Sequence, residues 1–162
     1  MPLLVNNNTA SAKDESLFEL EDLERNTGFL MLQVSNLWKE YHDKVLKKCH
    51  GLSHIQYAVL AGISFYHNKK PISQALIAQH SRIDPMIVSQ TFKQLENKRY
   101  ISYVSHPADA GEEVIALTPK GEELVSQVLG TIVETDIKFF KSLGENAGSF
   151  NNYLKTLLEV ND

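Results

Sequence analysis

Asp84-Pro85 is the feature that most constrains what this chain can fold into. An aspartate carboxylate can cap open backbone amides, and a proline at the first helical position supplies a helical φ while lacking an N–H that would be unpaired there anyway. The pair therefore opens a helix, reading PMIVSQTFKQLENKR from Pro85 to Arg99. Upstream, Lys69-Lys70-Pro71 breaks the chain, and Ser73 stands where an N-cap opens a short helix through Gln79. His80-Ser81-Arg82-Ile83 lies between the two. A pair of short helices joined by a turn of this length has the spacing of a helix-turn-helix.

The flanking segments supply the rest of a mostly helical domain. Leu30, Val34, Leu37, Trp38, Tyr41 and Val45 recur at helical intervals within a pattern running from Ser16 to about Lys48, which Asn26-Thr27-Gly28 can kink or divide. Gly51 ends that element and Ser53 caps the next. The second helix is apolar nearly all round, so it belongs in the centre. After Tyr100 the period changes. Ile101–Ser105 and Val114–Leu117 read as two strands of a hairpin, with HPADAGEE as the loop of a wing. Thr118-Pro119 repeats the cap-and-proline signal and opens a long helix to about Ser142. Gly144 and Gly148 bracket a break before a last helix, Phe150 to Val160.

On the Pro85 helix, Ile87, Val88, Thr91, Phe92 and Leu95 gather on one side and are expected in the core. Met86, Ser89, Gln90, Lys93 and Asn97 gather opposite, with no acid among them. That face suits a DNA major groove: Gln90 matches adenine N6 and N7, Ser89 a base or phosphate, Met86 a thymine methyl, and Lys93 guanine or phosphate. Ser73, Arg82 and Lys98 are placed to hold the phosphate backbone and fix register.

The net charge of −4 argues against a polyanionic partner until its distribution is examined. Both ends of the chain are acidic. Residues 69–100 instead hold Lys69, Lys70, Arg82, Lys93, Lys98 and Arg99 against Asp84 and Glu96, a basic block inside an acidic chain. The length of 162 residues and the apolar content of 43% fit one fold unit. The opening stretch is polar and aperiodic, so residues 1–15 are expected to be a flexible tail and not a signal peptide. A single cysteine, Cys49, fits a reducing compartment, and with no apolar run of membrane-spanning length the protein is expected in the cytoplasm, without a membrane partner.

At this point the residues carry a family resemblance. Leu95-Glu96-Asn97-Lys98-Arg99-Tyr100-Ile101 is similar to the LE-x-K-x-(L/Y)-(I/V) run of MarR-type regulators, and Val114–Gly121, reading VIALTPKG, to their LT-x-x-G exit from the wing. The similarity covers roughly Leu30 to Phe140. It implies a winged helix-turn-helix with a β-hairpin wing, whose N- and C-terminal helices form a dimerisation stalk. Residues 53–121 would be the DNA-binding domain, and 16–52 with 122–162 the helical dimerisation region. The protein would be a homodimeric transcriptional regulator, a ligand-responsive repressor acting on double-stranded DNA at a pseudo-palindromic site. Apolar stripes at Leu17, Leu20 and Leu23, and at Phe150, Leu154, Leu157 and Leu158, would be buried by dimerisation.

The resemblance also implies a pocket for a small aromatic or anionic effector near Trp38, Tyr41 and Tyr57; ordinary core packing is the alternative for these residues. The wing departs from the family pattern. It holds no lysine or arginine between Ile101 and Pro119, Gly111 stands at the expected arginine, Glu112 and Glu113 are acidic, and His106 is the candidate cation. This departure motivates a second reading, a winged-helix ligand-sensing or protein-interaction module with weak or lost DNA binding. His42, Cys49, His50 and His54 do not have zinc-site spacing once Gly51 breaks the helix, so neither a metal nor a cofactor is expected. No phosphate loop or nucleophile elbow is present, and no enzymatic activity is expected.

Overall fold

The computed structural model describes residues 26–67, 69–105, 108 and 113–161. By internal contacts the chain divides into two units, Met1–Asn36 and Leu37–Asp162. In the first unit, the described residues open helix α1, Thr27–His50. Asn26 starts it: its side-chain Oδ1 accepts from the Phe29 amide at 3.0 Å, and its carbonyl accepts from the Leu30 amide at 3.0 Å. The expected division at Asn26-Thr27-Gly28 is thus a helix start, because a short polar side chain satisfies amides that an ongoing helix would use. Leu30, Met31, Leu32 and Val34 are exposed. The expected tail at 1–15 and the apolar stripe of Leu17, Leu20 and Leu23 lie outside the described residues.

The second unit is built around α2, His54–Tyr66, which packs against α3 (Gln74–Ser81), α4 (Pro85–Asn97), the second strand of the hairpin and α5 (Pro119–Phe139). Gly51, at a φ of 63°, ends α1 in the left-handed region that glycine adopts without strain. Ser53 then makes a full capping box. Its hydroxyl accepts from the Gln56 amide at 3.2 Å, and the Gln56 side chain accepts from the Ser53 amide at 3.1 Å. Val59, Leu60 and Ile63 are buried with Ile77, Val88, Phe92, Leu95, Ile101, Val125 and Val128 in one core. Removing Phe92 to alanine from such a setting costs about 3–5 kcal/mol.

The wing strands β1 (Ile101–Ser105) and β2 (Glu113–Leu117) pair antiparallel with Ile101 opposite Leu117 and Ser105 opposite Glu113. The hairpin is pinned to the head where the Ile115 amide donates to the Ile72 carbonyl at 2.9 Å and Gln74 Nε2 to the Tyr103 hydroxyl at 2.9 Å. After α5 the chain makes a 3₁₀ turn, Lys141–Asn146, and closes with α6, Ala147–Val160. The break falls at Gly144, with φ of 52°; Gly148 lies inside α6 instead of marking its boundary. No described helix is long and apolar enough to cross a membrane.

The LT-x-x-G stretch has a direct physical cause. Thr118 caps α5 by accepting from the Gly121 amide at 3.1 Å, and its hydroxyl donates to the Arg99 carbonyl at 2.7 Å. The Thr118 amide donates to the Tyr100 carbonyl at 3.1 Å. These bonds draw the first turn of α5 so close to the exit of α4 that a Cβ on Gly121 would collide with the Tyr100 carbonyl oxygen. Glycine is required by space there, not by φ.

Candidate nucleic-acid interface

The helix-turn-helix is α3, a turn through Arg82, Ile83 and Asp84, and α4. Ser73 caps α3, its Oγ accepting from the Leu76 amide at 3.2 Å. The helix runs through Ser81, so the turn is shorter than the sequence suggested. Arg82 ends it in the left-handed region at φ 53°, ψ 33°. Asp84 caps α4 as its position implies, with Oδ1 accepting from the Met86 amide at 2.8 Å and the Ile87 amide at 3.4 Å.

The face of α4 turned to the core is Val88, Thr91, Phe92 and Leu95. Taking about 100° per residue, Met86, Gln90, Lys93 and Asn97 centre on the direction opposite that face, and all four are exposed. Two expectations are corrected. Ile87, expected in the core, is 41% exposed, because it sits roughly a quarter turn from the core axis where burial depends on a neighbour it does not have. Ser89, expected on the outward face, is half-buried at its edge. Gln94 turns toward α2, its Oε1 accepting from Gln56 Nε2 at 2.9 Å. That bond fixes the roll of the helix.

The far end of α4 closes in a Schellman motif. The Tyr100 amide donates to the Leu95 carbonyl at 3.0 Å, and the Arg99 amide to the Glu96 carbonyl at 2.7 Å. Arg99 holds the left-handed position, φ 59°, that glycine usually occupies. Lys98 is exposed, its Nζ donating to the Gly51 carbonyl at 3.3 Å, while its backbone carbonyl accepts from Lys120 Nζ at 3.0 Å. Ser73, Arg82, Pro85, Met86, Gln90, Lys93, Asn97 and Lys98 are exposed on the α3–turn–α4 segment. His106 lies outside the described residues, as do Asp109, Gly111 and Glu112.

The expected aromatic pocket has a polar core that sequence reasoning did not find. Asp136 on α5 accepts from Trp38 Nε1 at 2.8 Å through Oδ1, and the same oxygen lies 2.8 Å from His42 Nε2. A carboxylate partner places the His42 proton on Nε2, leaving Nδ1 a buried acceptor with no hydrogen-bond partner. His42 is fully buried, its ring tilted against Trp38 at 4.3 Å between centroids and 5.8 Å from His54. Burial holds the His54 imidazole below its ordinary value; His42 and Lys39 add to this and Asp43 opposes it. Burial, aided by the Asp136 charge, raises the Tyr57 hydroxyl. The available signal was Trp38 and His42 one turn apart on α1, but their partner is nearly a hundred residues away.

Beside this cluster runs a groove of about 630 Å³, walled by Trp38, His54, Tyr57 and Phe65 and bounded on the other side by His80 and Ser81 at the end of α3 and by Arg82 and Ile83 of the turn. Trp38 and Tyr57 line it. Tyr41 does not line it; its ring lies 5.9 Å from Phe139. Among the described residues no three His, Cys, Asp or Glu side chains are grouped to hold a metal ion, and Cys49 is exposed.

Against this geometry stand the comparisons with known proteins. No family model matches the chain. It is 28% identical over 134 residues to YdcH of Bacillus subtilis, described as an uncharacterised HTH-type transcriptional regulator, covering 82% of this chain and 88% of that protein. Among solved structures, CouR of Rhodococcus jostii RHA1 bound to p-coumaroyl-CoA aligns with a TM-score of 0.74 at 22% identity, over 85% of this chain and 93% of CouR. MepR of S. aureus in complex with DNA gives 0.72 at 21% identity, over 86% and 99%. A MarR-family regulator from Rhodococcus sp. RHA1 gives 0.71 at 22% identity, over 89% and 97%. The resemblance seen in the two sequence motifs therefore extends to the fold, a mostly α winged helix-turn-helix of the MarR type.

Proposed function

We propose that this winged-helix protein is a sequence-specific transcriptional regulator, a ligand-responsive repressor that binds double-stranded DNA as a homodimer. The observation that carries the reading is the front of α4, where Met86, Gln90, Lys93 and Asn97 point away from the core with no acid among them. The names carried by YdcH and by the MepR–DNA complex support it. Residues 53–121 act as the head, and 16–52 with 122–162 as the dimerising region. Two heads are needed because reading helices must be spaced about one DNA turn, near 34 Å, to engage two half-sites. Leu129, Val133 and Ile137 on α5, and Tyr153, Leu157 and Leu158 on α6, are exposed apolar side chains that a second copy would cover.

The groove at Trp38 and Tyr57 is the place for a small aromatic or anionic effector, with rings for stacking and Lys39, His54, His80 and Arg82 as polar lining. The p-coumaroyl-CoA bound to CouR supports that class. Regulation is a population shift: an effector that binds better to the arrangement with mis-spaced heads releases DNA in proportion to that difference in affinity. A wing without lysine or arginine between Ile101 and Pro119 leaves α4 to carry most of the specificity.

Titrating salt against binding to the protein's own upstream DNA tests the reading. Affinity should fall steeply with salt, and Lys93→Ala or Arg82→Ala should each weaken binding and lower the log–log slope by about one. Absence of sequence-dependent binding at low salt refutes it. That outcome would favour the second reading, a winged-helix sensing or interaction module, to which the acidic Glu112 and Glu113 point.

A further inference from the structure

The first turn of α4 is built against phosphate binding and toward an apolar partner. Pro85 has no N–H, and the Met86 and Ile87 amides are taken by the Asp84 carboxylate. The turn therefore offers a phosphate neither a backbone donor nor a favourable charge. It presents two large apolar side chains instead, Met86 at 70% and Ile87 at 41% exposed. The core does not need either, since Val88, Thr91, Phe92 and Leu95 fill it.

Viewed down the helix axis, Gln90 falls between them, roughly 40° from Met86 and 60° from Ile87. The amide of Gln90 is thus flanked by a methionine and an isoleucine at the end of the helix that enters a major groove first. Among base edges in that groove, adenine, guanine and cytosine offer hydrogen-bonding groups, and thymine alone adds a methyl group.

We propose that Met86 and Ile87 form a thymine-methyl-reading pair on either side of Gln90, so that each half-site carries thymines flanking an adenine. The inference rests on the DNA-binding reading above. It also gives Ile87 a reason to be exposed, and it accounts for a reading face whose only cation is Lys93.

The experiment begins by selecting a half-site from a random duplex pool with the full-length protein. Each thymine is then replaced singly by deoxyuridine, which removes the C5-methyl and keeps O4 and base pairing, and affinity is measured by anisotropy at fixed salt. Burying one methyl predicts a loss of about fourfold at each contacted thymine. Met86→Ala and Ile87→Ala should each abolish the deoxyuridine penalty at its own thymine and leave the other intact. Both positions are exposed and alanine favours helix, so circular dichroism should register no loss of helix. Selective binding with no deoxyuridine penalty, or a penalty unchanged in both variants, overturns the inference and leaves DNA binding standing. A pool that yields no selected sequence overturns both.

Discussion

Replacing Asp136 with alanine should remove the one acceptor shared by two aromatic side chains of α1. Its Oδ1 accepts from Trp38 Nε1 at 2.8 Å and lies 2.8 Å from His42 Nε2. His42 is fully buried, so its orphaned N–H has no water to turn to and carries the full desolvation cost, about 1–3 kcal/mol. Asp136 itself keeps 39% of its side-chain surface, so solvent can reach the Trp38 donor and its share is closer to half of that range. Together these give a loss of about 2–4 kcal/mol. Asp136→Asn keeps an acceptor and forfeits only the charge assistance, so about 1 kcal/mol is expected. Trp38 is the only tryptophan in the chain, so urea unfolding followed by its fluorescence reports on this site without labels. Protein concentration must be held fixed, because the proposed dimerisation would contribute to apparent stability. The magnitude distinguishes a shared hydrogen-bonded acceptor from mere proximity. If alanine costs less than about 1 kcal/mol, or asparagine costs as much as alanine, the shared-acceptor account is wrong.

The same cluster predicts a pH dependence. His54 titrates below its ordinary 6.5 in the folded state, so the unfolded chain takes up that proton first; stability should be full above that value and decline as pH falls below it, measured by urea midpoints across pH. Tyr57, raised above its ordinary 10.0, makes the opposite limb: stability should decline as pH climbs past 10.0, and Tyr57→Phe should flatten that limb. Gly121→Ala must push α5 away from the Tyr100 carbonyl, and calorimetry should register a loss of about 3 kcal/mol or more. Arg99→Gly relieves a left-handed arginine worth about 1–2 kcal/mol and adds about 0.5–1 of chain entropy cost, so a net gain of up to about 1.5 kcal/mol is expected, read as a higher urea midpoint.

Which parts of the molecule could be read from sequence follows from the range of the forces involved. Asp84-Pro85 and Thr118-Pro119 are complete within three residues, because a cap and its amides are neighbours in the chain; both helices begin where those pairs stand. The strands were legible for a similar reason, as alternation and β-branched residues set them locally. Ile87 was not. Its place at the margin of the apolar arc is clear from periodicity, but whether anything covers that margin is decided by α2 and α3. The Trp38–Asp136–His42 cluster was illegible for a stronger reason, since nothing near Asp136 in sequence distinguishes it from the other acids of α5. The LT-x-x-G stretch could be recognised as a pattern, yet its cause is the Tyr100 carbonyl, which only the folded chain brings against Gly121.

The same long-range contacts bear on how the proposed regulation would reach DNA. The groove's far wall is Ser81 at the end of α3 with Arg82 and Ile83 of the turn that joins α3 to α4. Its near wall is Trp38 and Tyr57, with Trp38 held by Asp136. An occupant of the groove would therefore touch the helix-turn-helix turn directly, and the position of α4 would respond without a long relay through packed side chains. Under the proposed function Arg82 would be the hinge of that coupling: its backbone, in the left-handed region at φ 53°, ends α3, while the residue lines the groove and lies in the turn before α4. Lys93 lies on the exposed face of α4 and does not line the groove. Under the proposed function, loss of Lys93 weakens DNA binding equally with and without effector, whereas loss of Arg82 alters the effector's influence as well. That difference separates a residue that binds DNA from one that also transmits the effector's signal.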